Sequence, residues 1–309
     1  MVGVKSWPVV LKFRSLCSCA GLDEFQALYS IAWAMECFER GILEKSDTDG
    51  LELKFGNEDV FIEMTKKIIT REGFGDILAK GSDEASKIIG RGSERYLLTI
   101  KGRELETMPL RTGYQMALAL AVGEAGPEHT RWYPPYPPNP KAIPKDLELP
   151  FDPYKAFQTK SVEDKGRAVK WLYDTRAIFE SLPTCVFIVR SLLSVDLQPW
   201  LDIYNACTGT NFTLGEFLKI GERIVNLERA YIIREGFRRK DDTLPRRMIE
   251  DSIPENYIEP IGKNLDLMLD DYYQVRGWDV KTSIPKAEKL QELDLDFVNE
   301  ELKNLRGGE

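Results

Sequence analysis

Cys17 and Cys19 stand one residue apart and run into Ala20-Gly21-Leu22-Asp23, where a helix begins that is apolar on nearly every side. A thiolate is a metal or cluster ligand. An acid at a helix start either caps the helix or accepts from the N–H groups of a ligand. A second acid–thiol pair lies in Glu180-Ser181-Leu182-Pro183-Thr184-Cys185. Pro183 lacks an N–H and biases Leu182 away from helical backbone, so the preceding helix should stop there and leave Cys185 on irregular chain. The one histidine, His129, and Arg131 close the set. Imidazole titrates near neutrality and suits polarising a carbonyl or moving a proton. Arg131 and Arg111 offer bidentate donors.

Each residue also has a plainer reading. Asp23 caps its helix, His129 sits on a surface loop, and Cys185 fills space in the apolar stretch "TCVFIVRSLL". Cys37 and Cys207, in apolar helical contexts, read as core fillers. Cys17, Cys19 and His129 lack a fourth ligand and make a poor zinc site.

The elements that must position these groups are overwhelmingly helical. A helix over 22–40 ends at Gly41. "LELKF" (51–55) alternates like a short strand, and Asn57 caps a helix carrying Val60, Phe61, Met64 and Ile68 on one face. Another helix runs over 76–89, and "RYLLTIKG" (95–102) reads as a second strand. The segment 112–126 is again apolar almost all round, which marks a helix buried in a larger core. Nine of the 17 prolines then fall between Pro127 and Pro153, too many for helix or central strand. Helices follow at 162–179, 197–207 and 214–235. The last opens on a Thr213/Glu216 capping box, and its stripe of Phe217, Ile220, Gly221, Ile224 and Leu227 reads as core. A helix over 264–279 and two short helices close the chain. The fold class is mainly α with a few short strands.

The 309 residues are 43% hydrophobic and 30% charged, ordinary for a globular protein, with a net charge of −8 that argues against nucleic acid as partner. The longest apolar run, Ala27–Met35, is too short to span a membrane. Five widely spaced cysteines do not make a disulfide framework and suit a reducing cytoplasm.

The phrases "LCSCAGLDEFQALYSIAWAMECFERGIL", "REGFGDILAKG", "KGRELETMPLRTGYQMALA", "HTR", "ESLPTC", "GERIVNLERAYIIREGFRRKDDTLPRR" and "DDYYQVRGWD" occur in this order. Together they resemble the aldehyde:ferredoxin oxidoreductases, tungsten- or molybdenum-pterin enzymes that oxidise aldehydes to carboxylic acids. The resemblance spans about residues 12–300 and covers only the C-terminal, helical half of the family, its domains 2 and 3. It implies a division into 1–103, the remainder of the middle helical domain, and 104–309, the C-terminal helical domain with a Pro-rich loop at 127–153. The first dozen residues match nothing in it.

The resemblance implies a set of sites. The family's first pterin-facing motif falls on Ser18 to Asp23, with Gly21-Leu22-Asp23 intact and Ser18 in place of the leading acid. Ser18, Leu22 and Asp23 would then face the bis-pterin cofactor. The second motif falls on Glu180 to Cys185, with Pro183-Thr184 where the family has Gly-Leu and Glu180 where it has Asp. Glu180, Thr184 and Val186 would face the cofactor, and Cys185 matches the fourth ligand of a 4Fe–4S cluster. The other three ligands are expected upstream of residue 1. His129 matches the family's active-site histidine, and Arg131 a pterin-contacting base; Arg111 is a weaker candidate for such a contact.

The implied function is the C-terminal portion of an enzyme that oxidises an aldehyde at tungsten or molybdenum and passes electrons through the cluster to ferredoxin. An N-terminal half from another chain would complete it, and the isolated chain should be inactive. A rival reading is a non-catalytic helical subunit that only binds a partner, which the altered 180–185 motif favours.

Overall fold

The protein is described by a computed structural model, which covers residues 1–105, 110–128, 131, 149–156, 158–182, 184–185 and 197–306. Two compact units divide the chain. One is Met1–Met108 with Leu244–Ile253; the other is Pro109–Thr243 with Pro254–Glu309.

The first unit is built around α2 (Glu24–Glu39). Its nearly uniform apolarity is explained by burial on most sides: Ala27, Ile31, Trp33, Ala34, Met35 and Cys37 are all inside. They pack with Phe13 and Cys17 of α1 (Trp7–Ala20) and with Phe61, Met64 and Ile68 of α3 (Glu58–Thr70). Full burial of each such side chain is worth about 1.5–3 kcal/mol, which outweighs the absence of a polar face. Asn57 caps α3 as expected, its Oδ1 accepting from the Val60 N–H at 3.2 Å.

Several expectations are corrected here. Residues 51–55 form no strand. Leu53 points inward, which produces the alternation. The backbone there is satisfied by local turns and by Glu39, whose Oε1 accepts from the Phe55 N–H at 3.0 Å. The 76–89 helix is two helices, α4 (Phe74–Leu78) and α5 (Ser82–Ile89), parted at Gly81 with φ +88°. Among the described residues the one pair of strands is Thr99–Ile100 with Arg103–Glu104, an antiparallel hairpin, beside an isolated bridge between Trp278 and Pro285. The segment 244–253 belongs to this unit, tied by Arg247 to Glu36 at 2.8 Å and by Arg95 to Asp251 at 2.5 Å.

The second unit is organised by α7 (Lys165–Ser181), which packs against α6 (Tyr114–Val122), α9 (Leu214–Arg234) and α10 (Gly262–Arg276). Two glycines permit the approach. A Cβ on Gly221 of α9 would lie 2.1 Å from the Asp174 carbonyl oxygen, and one on Gly166 of α7 would lie 2.7 Å from the Tyr272 nitrogen. The Thr213/Glu216 capping box is formed. α8 (Gln198–Thr208), α11 (Ala287–Glu292) and α12 (Asp296–Arg306) complete the described helices of eleven or more residues and the short one before α12.

The stripe expected on α9 is rotated. Phe217 and Gly221 are buried, but Leu227 is 45% exposed, while Val225, Asn226, Arg229 and Ile233 face the core. Arg229 is wholly buried because Asp242 neutralises it at 2.7 Å and Trp278 lies under its guanidinium at 4.9 Å. A pattern of apolar residues alone does not register such a face. Cys37 is buried as expected, whereas Cys207 is exposed.

Candidate functional site

α6 is the apolar 112–126 segment in shortened form. All of its residues but Met116 are buried, and it stops at Val122 because the chain must turn at Gly123. A Cβ there would lie 2.7 Å from the Gly126 carbonyl and 3.0 Å from the Tyr173 hydroxyl. Tyr173 in turn donates to the Ala119 carbonyl at 2.8 Å. This close packing fixes the next residue, Glu124, at the wall of a cavity of about 670 Å³. The cavity is lined by Glu124, Glu128, Arg131, Tyr173, Glu180 and Glu228 among polar side chains, with Leu227, Tyr231 and Ile232 supplying apolar surface.

Arg131 organises the acids. Its Nη2 donates to Glu228 Oε1 at 2.8 Å and its Nη1 donates to Glu228 Oε2. Its Nε donates to Glu180 Oε2 at 2.7 Å. One guanidinium therefore grips the last turn of α7 and the middle of α9 at once. Burial alone would lower the Arg131 pKa, but the hydrogen bonds to Glu228 and Glu180 hold it above its ordinary value.

Glu124 is different. The residue is half-buried, yet both carboxylate oxygens are out of solvent and have no hydrogen-bond partner among the described residues. Burial pushes its carboxyl up to about 7, with repulsion from Glu228 adding to it; Arg229, its own backbone N–H and Arg276 pull the other way.

The expected site residues fall as follows. Arg131 and Glu180 come together, in direct ion pairing. α7 runs to Ser181 and Leu182 turns to extended backbone, so the break before Pro183 occurs where its chemistry required, although the helix extends two residues beyond the expected 179. Thr184 is half-buried and Cys185 is exposed on irregular chain, not inside a helix stripe. Arg111 is half-buried before α6. His129 and Val186 lie outside the described residues.

In the first unit, Ser18 closes α1, where the Gly21 N–H donates to its carbonyl at 3.3 Å, and Leu22 is half-buried. Asp23 is exposed and caps α2, accepting from the Gln26 N–H at 2.9 Å. Cys17 is buried, with its thiol pushed up to about 11 by that burial, and Cys19 is exposed. Glu124 and Glu228 were not among the expected residues. The one available signal was an acid immediately after an all-apolar helix.

The family model described as "Aldehyde ferredoxin oxidoreductase, domains 2 & 3" matches residues 1–295. The chain belongs to this family. The match begins at residue 1, so the first dozen residues are part of it, contrary to the expectation from their sequence.

Among curated relatives, the tungsten-containing aldehyde ferredoxin oxidoreductase of Pyrococcus furiosus is 32% identical over 296 residues, 95% of this chain and 46% of that protein. The protein of the same description from Pyrococcus horikoshii is 32% identical over 300 residues, 96% of this chain and 47% of that protein. An aliphatic sulfonate oxidoreductase, WOR-like subunit, from P. furiosus is 28% identical over 301 residues. The chain thus spans about half the length of the curated relatives it matches. Among solved structures, the active site complex BamBC of benzoyl coenzyme A reductase in complex with 1,5-dienoyl-CoA has a TM-score of 0.69 at 25% identity. It covers 93% of this chain and 46% of that one.

The tungsten-containing relatives imply a metal–pterin group, and the second unit fits a pterin in one respect. A pterin ring presents a planar edge of N–H donors, and two buried, unpartnered carboxylate oxygens are acceptors suited to such an edge. A 4Fe–4S cluster is not accommodated by the described residues alone. Among them no three His, Cys, Asp or Glu side chains stand together as a metal site, and Cys185 is a single exposed thiol.

Proposed function

We propose that this chain is the C-terminal portion of a tungsten-pterin aldehyde:ferredoxin oxidoreductase. It would oxidise aldehydes to carboxylic acids and deliver electrons through a 4Fe–4S cluster to ferredoxin. The observation that carries the reading is the placement of Glu180 and Cys185 at one helix break, with Glu180 clamped by Arg131 at the wall of the cavity. By the family resemblance, Glu180, Arg131, Thr184 and Val186 would contact pterin through one motif and Ser18, Leu22 and Asp23 through the other, and His129 would move a proton at the substrate carbonyl. The bound metal would supply the two-electron oxidation. Cys185 would give one thiolate to the cluster, and the remaining three would come from an N-terminal half.

The experiment is to co-produce this chain with an N-terminal half from a relative under anaerobic conditions. Tungsten, pterin and iron content are then measured, together with aldehyde-dependent reduction of ferredoxin. The proposal predicts stoichiometric tungsten and four irons per complex. A complex that forms without tungsten or pterin would reject it. A complex that holds the cofactors but turns over no aldehyde would favour a non-catalytic subunit.

A further inference from the structure

The Arg131 clamp leaves one acid of the cavity unaccounted for. Glu180 and Glu228 each have a charged partner, whereas neither oxygen of Glu124 has one among the described residues. A buried carboxyl without a partner is costly, and a structure that retains one calls for a ligand or a proton to satisfy it. The groups around it set which. Glu228 and Arg229 face it from α9, Tyr173 from α7, and Arg276 and Tyr272 from α10. Arg229 and Arg276 are already engaged by Asp242 and Asp174. Tyr173 and Tyr272 are engaged as well, the first donating to Ala119 and the second accepting from Arg276 at 3.0 Å. Among the described residues no side chain hydrogen-bonds either carboxylate oxygen of Glu124, and its own backbone N–H is the one protein donor that bears on it. Among the described residues that line the cavity, four carboxylates stand with one arginine, a balance that favours N–H donors over an anionic ligand group.

We propose that Glu124 is the carboxylate that recognises the ligand of this cavity by accepting paired N–H donors from a planar amidine-type edge, as a 2-amino-4-oxopyrimidine ring presents. This rests on the pterin reading of the site and assigns recognition there to a residue of this chain that neither family motif includes. On binding, the carboxyl proton leaves to solvent and the ionised carboxylate receives the two N–H groups, so no other reactant is needed. Donor matching by a buried carboxylate also discriminates, because a ring with an acceptor in place of the 2-amino group would leave both partners unsatisfied.

The test uses the full chain and two free probes, pterin (2-amino-4-oxopteridine) and lumazine, its 2,4-dioxo counterpart, followed by quenching of probe fluorescence and by calorimetry. Wild type should prefer pterin over lumazine by about tenfold or more, the scale of one well-satisfied buried hydrogen-bonding group. At pH 7 it should release protons on binding pterin, read as a dependence of the binding heat on buffer ionisation. Glu124→Gln, with its fold checked by circular dichroism, should lose the preference and the proton release together. Retention of either in Glu124→Gln overturns the proposal. If wild type binds both rings equally, Glu124 is not the reader although the pocket accepts pteridines. If it binds neither, the pocket reading falls with it.

Discussion

The guanidinium of Arg131 and the carboxylate of Glu228 form a two-pronged pair across the cavity, with Nη2–Oε1 at 2.8 Å, and the same guanidinium holds Glu180 through its Nε. One side chain thus joins the end of α7 to α9 and keeps two acids from confronting a third, Glu124. Replacing Arg131 by Met should leave the acids uncompensated. The pair is only partly buried, which screens it, so a loss of about 1–3 kcal/mol in urea unfolding at pH 7 is expected. A loss under about 0.5 kcal/mol would show that the acids are compensated without this arginine.

Glu124 gives the fold a pH dependence of its own. Its native carboxyl sits at about 7 against an ordinary value of 4.5. The native state therefore binds more protons than the unfolded chain between those values. This group's contribution is fully present below pH 4.5 and is lost as pH rises through 7, by roughly 3 kcal/mol at 1.36 kcal/mol per unit. Glu124→Gln should flatten the stability profile in that window. A profile that keeps its slope in the variant would place the titration elsewhere.

Where two helices meet at a glycine, the outcome of adding one methyl group can be stated in advance. Gly221→Ala would drive a Cβ to 2.1 Å from the Asp174 carbonyl, so α7 and α9 must part. We expect a loss of about 3 kcal/mol despite the roughly 1 kcal/mol better helix propensity of alanine. Gly215, on the same helix, has nothing within 4 Å of such a Cβ, and Gly215→Ala should be neutral or slightly stabilising. Thermal unfolding of the two variants side by side checks the contrast.

The buried Arg229–Asp242 pair should be unforgiving. Both side chains are out of solvent, and Asp242 also accepts from the Tyr273 hydroxyl at 2.5 Å. Asp242→Asn leaves a buried guanidinium without its counter-charge, for an expected cost of about 3–5 kcal/mol. A chevron or equilibrium melt giving less than about 1 kcal/mol would mean that water or another group takes over the charge.

Much of this was legible in the residues. The all-round apolarity of 22–40 reports a central helix, Thr213 and Glu216 report a capping box, and Pro183 reports the helix end that frees Cys185. These are local rules acting on adjacent residues. What escaped depends on distant partners. Leu51–Phe55 has the alternation of a strand but no neighbouring strand to pair with. Leu227 lies on a helix face whose inward side is claimed by a charged residue, Arg229, and Cys207 sits on the open side of α8. Glu124 reads in sequence as an ordinary acid in a turn, and only the packing of Tyr173 behind Gly123 makes it buried.

The cysteines offer the last test, because their exposure separates them without any cofactor. Cys19, Cys185 and Cys207 are exposed, while Cys17 and Cys37 are buried with thiols pushed up to about 11 and about 12, chiefly by that burial. The thiolate is the reactive form, so the buried pair is disfavoured both by access and by ionisation. The native chain should therefore react at three thiols with a disulfide reagent at pH 8, and at all five only after unfolding. If Cys185 is a cluster ligand, co-production with an N-terminal half that carries the other three should remove it from the reactive set while Cys19 and Cys207 are judged by mass-mapped labelling in the same sample. Cys185→Ser should then lower bound iron in that complex. Full reactivity of Cys185 in an iron-loaded complex, or unchanged iron in Cys185→Ser, would leave the thiol as a surface residue with no part in the cluster.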